Sequence, residues 1–351
     1  MNKRLITLLR PLLVLSIFLA CDTKQKSVSE LKWVNPISNG INKYGMKDFF
    51  IFYEDETFYL VGTEYADPFK GYLGPNLYKS DNLSSWSTDF KLINTNLIPE
   101  NAWYKDGWFA PEIVKIKNKY YFTFNNRNNA ENPYQKLGFG IAVSDSLKGE
   151  YDIINKNAPI VLSNHGSLVV GENEDEVFVV YEMDSRFYIA EVDLEQGNLK
   201  SKPIEFLGPE TLQDNFKYLD APQITKIGDT YHLMFSQFYG GYVVKIYHMT
   251  AKHPTETWHW DTNNPIYTFL EEEADEVVKN KYPTPHGYAP PTQVVFSNQL
   301  FKGEFGQYFI AYHSSEKYSE PYLCVEPVSI ENEKLLIPTA KDIQQKISLN
   351  D

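Results

Sequence analysis

Five times along the chain, a short apolar run gives way to a few polar residues and then to a second apolar run. The segments are DFFIFYEDETFYLVGT (48–63), PEIVKIKNKYYFTFN (111–125), GSLVVGENEDEVFVVYE (166–182), APQITKIGDTYHLMFS (221–236) and PTQVVFSNQLFKGEFGQYFIAYH (291–313). Runs this short, rich in β-branched and aromatic residues and split by Asp, Asn, Gly, Glu or Lys, predict antiparallel hairpins. A third strand is expected after most of them, at NLYKSDNLSSWS, GFGIAVSDSLKGEYD, RFYIAEVDL and VVKIYHMTAKHPTETW. No helical pattern alternates with these strands, so a parallel α/β sheet is not expected.

The second strands open at Phe58, Tyr120, Val177, Tyr231 and Tyr308, at intervals of 62, 57, 54 and 77 residues. Units of about four strands repeated at this spacing predict an all-β protein, a five-bladed β-propeller. A two-sheet sandwich is the alternative, but it gives no reason for one hairpin pattern to recur five times. The propeller domain is expected over 45–351, with EEEADEVVKNK (271–281) a polar insertion before the last blade and 325–351 closing strands plus a polar tail. Residues 22–44 read as a tether and a lead-in strand.

Residues 1–21, MNKRLITLLRPLLVLSIFLAC, have a different pattern: a basic start (Lys3, Arg4, Arg10), then an apolar stretch from Leu12 to Ala20. That stretch is too short to span a bilayer. A small residue directly before Cys21 resembles a bacterial lipoprotein signal, in which cleavage precedes a lipidated cysteine. An ordinary secretory signal is the alternative. Export follows from either, with the lipoprotein reading placing the protein in the periplasm or at the outer membrane or cell surface. Cys324 is then the one cysteine left inside the domain, too few for a disulfide framework.

Composition narrows the function. With 33 basic and 46 acidic residues the net charge is −13, which excludes nucleic acid as a partner and leaves a lipid anchor as the only membrane contact. The aromatic excess, 25 Tyr, 22 Phe and 6 Trp in 351 residues, suits strands and offers flat faces to sugar rings. Trp103, Trp108 and Tyr104 are expected to form such a sugar-stacking wall. A carbohydrate substrate and a monomer or dimer are the expected partners.

In a propeller the innermost strand of each blade lines the axis, and the residues that open these strands converge at one mouth. Those residues are Asp48, Glu112, His165, Asp220 and His286: three acids and two histidines. Hydrolysis with inversion needs a proton donor and a base on opposite faces of a sugar, with carboxyl groups roughly 6.5–9.5 Å apart. Asp48 and Asp220 come from non-adjacent blades and suit that separation. Glu112 is the expected like-charged neighbour that keeps the donor protonated.

Several of these segments together resemble glycoside hydrolase family 43. They are the Asp before the first apolar strand with its YLVGT return, LYKSDNLSSW, WFAPEI and DAPQITKIGDTYHLMFS. The resemblance covers most of 45–315 and implies a five-bladed propeller that hydrolyses glycosides with inversion, arabinosides or xylosides among them. It gives Asp48 the role of general base and Asp220 that of general acid, where the family usually has Glu. At the start of blade three, where the family has a third carboxylate, this chain has Asn164-His165. The resemblance also implies a structural cation, calcium, on the axis, held through water by a blade-five histidine. His286 is preferred for that role over His313, which lies later in its strand; no cofactor is needed for the chemistry itself. His165 and His286 are otherwise expected at the substrate. Two alternatives remain at this point: a hydrolase of anhydro-galactosides with a histidine acid, similar to glycoside hydrolase family 117, and a carbohydrate-binding propeller without turnover.

Overall fold

The structure, a computed structural model, describes residues 30–66, 74–211, 218–238, 243–270, 294–304, 306–315, 321–332, 334–336 and 345–348. Each of the five hairpins forms the inner half of one antiparallel sheet. Blade one runs Met46–Glu54, Thr57–Glu64, Asn76–Ser80 and Ser87–Lys91, inner to outer. Blade two runs Phe109–Ile116, Lys119–Asn126, Gly138–Ser144 and Asp152–Ile153. Blade three opens with His165–Val170, Val177–Met183 and Arg186–Asp193, and its third strand pairs with both Asn198–Leu199 and Ile204–Leu207. Blade four repeats that forked edge, with Tyr218–Ile227, Thr230–Phe238 and Val243–Ala251 followed by His259–Trp260 and Tyr267–Leu270. Blade five is Val294–Lys302, Tyr308–Ser315, Tyr322–Glu331 and Lys334–Leu336. Every inner strand packs beside the next, and the fifth packs beside the first, so the ring closes.

The core lies between blades, as the alternation of the strands requires: one face of each blade must bury its apolar residues against its neighbour. Trp103, Trp108, Phe122 and Phe124 fill the space between blades one and two, and Phe187, Phe235 and Tyr231 that between blades three and four. The ends of the chain are sewn together outside the blades. Glu30–Trp33 pairs with Gln345–Ser348, while Trp33 and Asn35 donate side-chain bonds to the Val325 carbonyl of blade five, each at 2.9 Å.

The inner strands share a backbone device. In blades one, two, four and five the pairing slips near the start of the strand, and the residue at the slip is left-handed without being glycine. These are Asp48 (φ 52°), Ala110 (42°), Ala221 (54°) and Ser297 (56°). A bulge of this kind bends the strand and re-aims side chains, and a left-handed non-glycine residue is held against its preference by its surroundings. The four bulges ring the axis at one mouth, and Asp48, Ala110 and Ser297 line a void there of about 10 Å³, the size of one water.

Candidate active site

Asp48 is the bulge residue of blade one and is 7% exposed. Its Oδ2 accepts from the Thr63 hydroxyl at 2.7 Å, and the Thr63 oxygen in turn accepts from the Ala110 backbone N–H at 2.7 Å. The Asp48 backbone N–H donates to Nδ1 of His313 at 3.2 Å. Burial alone would push this carboxyl up; the Lys47 charge, the imidazoles of His313 and His165 and the Thr63 bond outweigh it and hold Asp48 below its ordinary 3.8. An ionised, fixed carboxylate is what a general base requires.

Asp220 sits one residue before the bulge of blade four and is partly exposed. Its Oδ1 accepts from the next backbone N–H, that of Ala221, at 2.7 Å. Burial of its carboxyl, then the charges of Glu182 and Asp48, push it up to about 8. It therefore keeps its proton at neutrality, and the Asp48 charge reaches it across the mouth. Two carboxyl groups at one site, one driven down and one driven up, divide base from acid.

The neighbour that raises Asp220 is Glu182, in place of Glu112. Glu182 closes the second strand of blade three directly opposite His165, is 1% exposed, and is itself pushed to about 7 by burial. Glu112 is turned toward the next blade: its Oε2 accepts from the Ser167 hydroxyl at 2.6 Å, and it also accepts from the Leu168 backbone N–H. Gln299 stands at the same place in blade five, two residues past the bulge, and makes the same kind of link to blade one. Its Oε1 accepts from the Ile51 N–H at 2.6 Å and its Nε2 donates to the Ile51 carbonyl at 2.8 Å. Burial pushes Glu112 to about 8, so it is a largely neutral group bracing two blades.

His165 opens blade three beside the mouth, buried, with its imidazole pushed down to about 4 by burial and so neutral. His313, weighed from the sequence only as a cation ligand, closes the second strand of blade five against Asp48 and is likewise pushed to about 4. Trp103 and Trp108 do not form a sugar-stacking wall. They are 1% and 2% exposed, packed with Phe122 and Phe124 between blades, and Trp103 donates to the Asn155 carbonyl at 2.8 Å. Tyr104, 6% exposed, belongs to the same core. His286 and Cys21 lie outside the described residues.

Thr63, Glu182 and His313 share a signal that a reading of strand openings passes over. In an antiparallel hairpin the residue that closes the second strand returns to the level of the one that opens the first. Each of these three does so, pairing near Lys47, His165 and Phe296 respectively. As for a cation, calcium takes six to eight oxygen ligands. The described residues bring no three acidic, histidine or cysteine side chains together as a metal set, and the axial void has room for one water. The described residues thus assemble no set of direct ligands for calcium, and the cation expected through water at His286 falls outside them.

The model of a protein family described as glycosyl hydrolases family 43 matches residues 34–324. The chain belongs to that family. The match spans the inner strands of all five blades, those that carry Asp48 and Asp220 among them. Solved structures agree on the fold. The family-43 protein BlXynB of Bacillus licheniformis superposes with a TM-score of 0.66 at 16% identity, over 88% of this chain and 57% of that one. The chain thus spans little more than half the length of that relative. An endo-arabinase of Bacteroides thetaiotaomicron superposes at 0.61 with 18% identity, over 85% of this chain and 99% of that one. An endo-1,4-beta-xylanase of the same organism gives 0.64 at 15% identity, over 87% and 96%. Among curated proteins no sequence matches the chain.

Proposed function

We propose that the protein is an exported, lipid-anchored enzyme that hydrolyses glycosidic bonds in plant or algal polysaccharides or oligosaccharides with inversion at the anomeric carbon. The single observation that carries the mechanism is the opposite ionisation of two carboxyl groups at one mouth, Asp48 held charged and Asp220 pushed to about 8. Ionised Asp48, fixed by Thr63, takes a proton from a water on one face of the sugar. Asp220 gives its proton to the departing glycosidic oxygen on the other. As the C–O bond breaks, the water oxygen bonds to the anomeric carbon, and solvent returns the proton to Asp220 and removes that on Asp48. Glu182 keeps Asp220 protonated between turnovers, in the part that the resemblance gives to a carboxylate at the start of blade three.

The arabinase and xylanase names among the structural neighbours make pentose-containing plant glycans the first substrates to try. A protonated Asp220 supports a carboxylic acid as donor over a histidine. Export and the anchor rest on the Cys21 signal in the sequence. The test is hydrolysis of arabinan, xylan, agar and carrageenan oligosaccharides followed by proton NMR from the first minutes of reaction. An initial product of inverted anomeric configuration is expected; a retained one removes the mechanism, and no turnover by a folded protein on the whole panel removes the hydrolytic reading.

A further inference from the structure

A cavity of about 420 Å³ opens beside the acid, lined by Arg127, Lys136, Ser163, Asn164, Glu182 and Tyr218 among others. Its position follows from the two residues it shares with Asp220. Tyr218 precedes Asp220 by two on the same strand, so both project from one face, and Tyr218 feels the charges of Asp220 and Glu182. The proton from Asp220 goes to the leaving oxygen, so a cavity on the acid's side receives the sugar that departs.

Two polar groups of this cavity have no protein partner among the described residues. The Ser163 hydroxyl is buried with no hydrogen bond, and so is Nε of Arg127. The described residues contain two arginines. Arg186 is held by Glu205 and by Glu210, the latter at 2.9 Å. Arg127, by contrast, makes no side-chain hydrogen bond or ion pair among the described residues, and exposed Lys136 lies in the same wall. In a chain of net charge −13, a guanidinium without a carboxylate is a site kept for an anion from outside. The acids of the cavity, Glu182 and Asp184, belong to the blade-three hairpin; Glu182 bonds the Ser185 N–H and acts on Asp220, and neither pairs with Arg127.

We infer that Arg127, with Lys136, recognises an anionic substituent, a uronate carboxylate or a sulfate ester, on the leaving-group sugar, so that the preferred substrates are acidic glycans. This rests on the hydrolytic reading above for its assignment of sides. Two matched pairs of probes test it with the full chain: a glucuronate-substituted xylo-oligosaccharide against its carboxyl-reduced counterpart, and a sulfated galacto-oligosaccharide against its desulfated one. In at least one pair the charged member should have a kcat/KM at least tenfold higher, and the pair that shows it names the source of the anion. The ratio should fall toward one in Arg127→Gln, fall part-way in exposed Lys136→Gln, and shrink as NaCl is raised. Should Arg127→Gln not fold, Lys136→Gln and the salt series carry the same test. Equal turnover of both members of both pairs, or a ratio unchanged in Arg127→Gln, overturns the inference and leaves the hydrolase standing. Calorimetry on the same probes separates the two claims. Binding that is tighter for the charged member and depends on Arg127, without turnover, supports the anion site while the hydrolytic reading fails. Binding without preference for charge overturns the site.

Discussion

Blades one and four start from the same hairpin pattern and the same bulge, yet deliver carboxyl groups with opposite affinities for a proton. In blade one the acid is the left-handed residue itself, and Thr63 from its own second strand donates to it at 2.7 Å. In blade four the acid stands one residue earlier, takes one bond from its neighbour's N–H, and faces Glu182 of the adjacent blade. Both are desolvated. What differs is the company, a cation and a hydroxyl in one case and a carboxyl in the other. The backbone device brings acidic side chains to the mouth, and their neighbours, Lys47 on the same strand with Thr63 and Glu182 on second strands, decide which of them holds a proton.

The comparison breaks most sharply at Asp48. Asp48→Asn keeps the shape and the Thr63 contact but cannot accept a proton from water. Turnover should fall by the ~10²–10⁴ typical of a lost general base, or more, on natural and activated substrates alike. Single-turnover rates on both substrates measure this, and a loss of less than about tenfold removes Asp48 from the chemistry.

Asp220→Asn should cost as much on natural glycans and far less on an aryl glycoside with a good leaving group, which departs without a proton. Equal losses on the two substrates would make Asp220 a structural residue. In the wild type, activity needs Asp48 ionised and Asp220 protonated. It should therefore fall on the alkaline side near the pH of about 8 that burial and Glu182 set for Asp220, and on the acid side only below the ordinary carboxylate range.

Glu182→Gln sharpens the contrast between the blades without deleting either catalytic group. Removing a like charge lets Asp220 ionise more readily, so the alkaline limb of kcat/KM against pH should move down. Burial, the larger cause, is left in place, so the limb stays above the ordinary 3.8. A shift of half to one pH unit corresponds to a loss of roughly three- to tenfold on that limb, with the acid limb unmoved. An alkaline limb that stays put would show that Glu182 does not act on the donor.

The five hairpins, their second-strand starts to within one residue, and both Asp48 and Asp220 at one mouth were legible in the sequence, because strand alternation and turn residues are local signals. The partners were not. Glu182 and His313 end strands whose openings look like ordinary core, and only pairing register carries them to the mouth. Trp103 and Trp108 failed in the opposite direction. An aromatic beside a catalytic motif reads the same whether it faces a sugar or the space between blades, and here the packing against Phe122 and Phe124 decides for the core.

Glu112 gives the smallest effect and the finest test. It was expected in the chemistry, yet it sits where Gln299 sits in blade five, bonded across to the next blade. A glutamine offers the same carbonyl oxygen to Ser167 and Leu168, and at neutral pH Glu112, pushed to about 8, already carries its proton. Glu112→Gln should therefore keep activity within about twofold, where loss of a true acid or base costs ~10²–10⁴. The sign of its effect on stability is also set. The folded state holds the Glu112 proton to about 8 while the unfolded chain releases it near the ordinary 4.5, so the wild type loses stability as pH rises between the two. Glutamine has no proton to lose. The thermal midpoint of Glu112→Gln relative to wild type should thus climb from pH 4.5 to about 8 and then level off, while Glu112→Ala, which leaves Ser167 and Leu168 unpaired, should unfold at lower temperature throughout. A collapse of activity in Glu112→Gln with an unchanged midpoint would return Glu112 to the reaction and show that a third carboxyl at this mouth handles the proton.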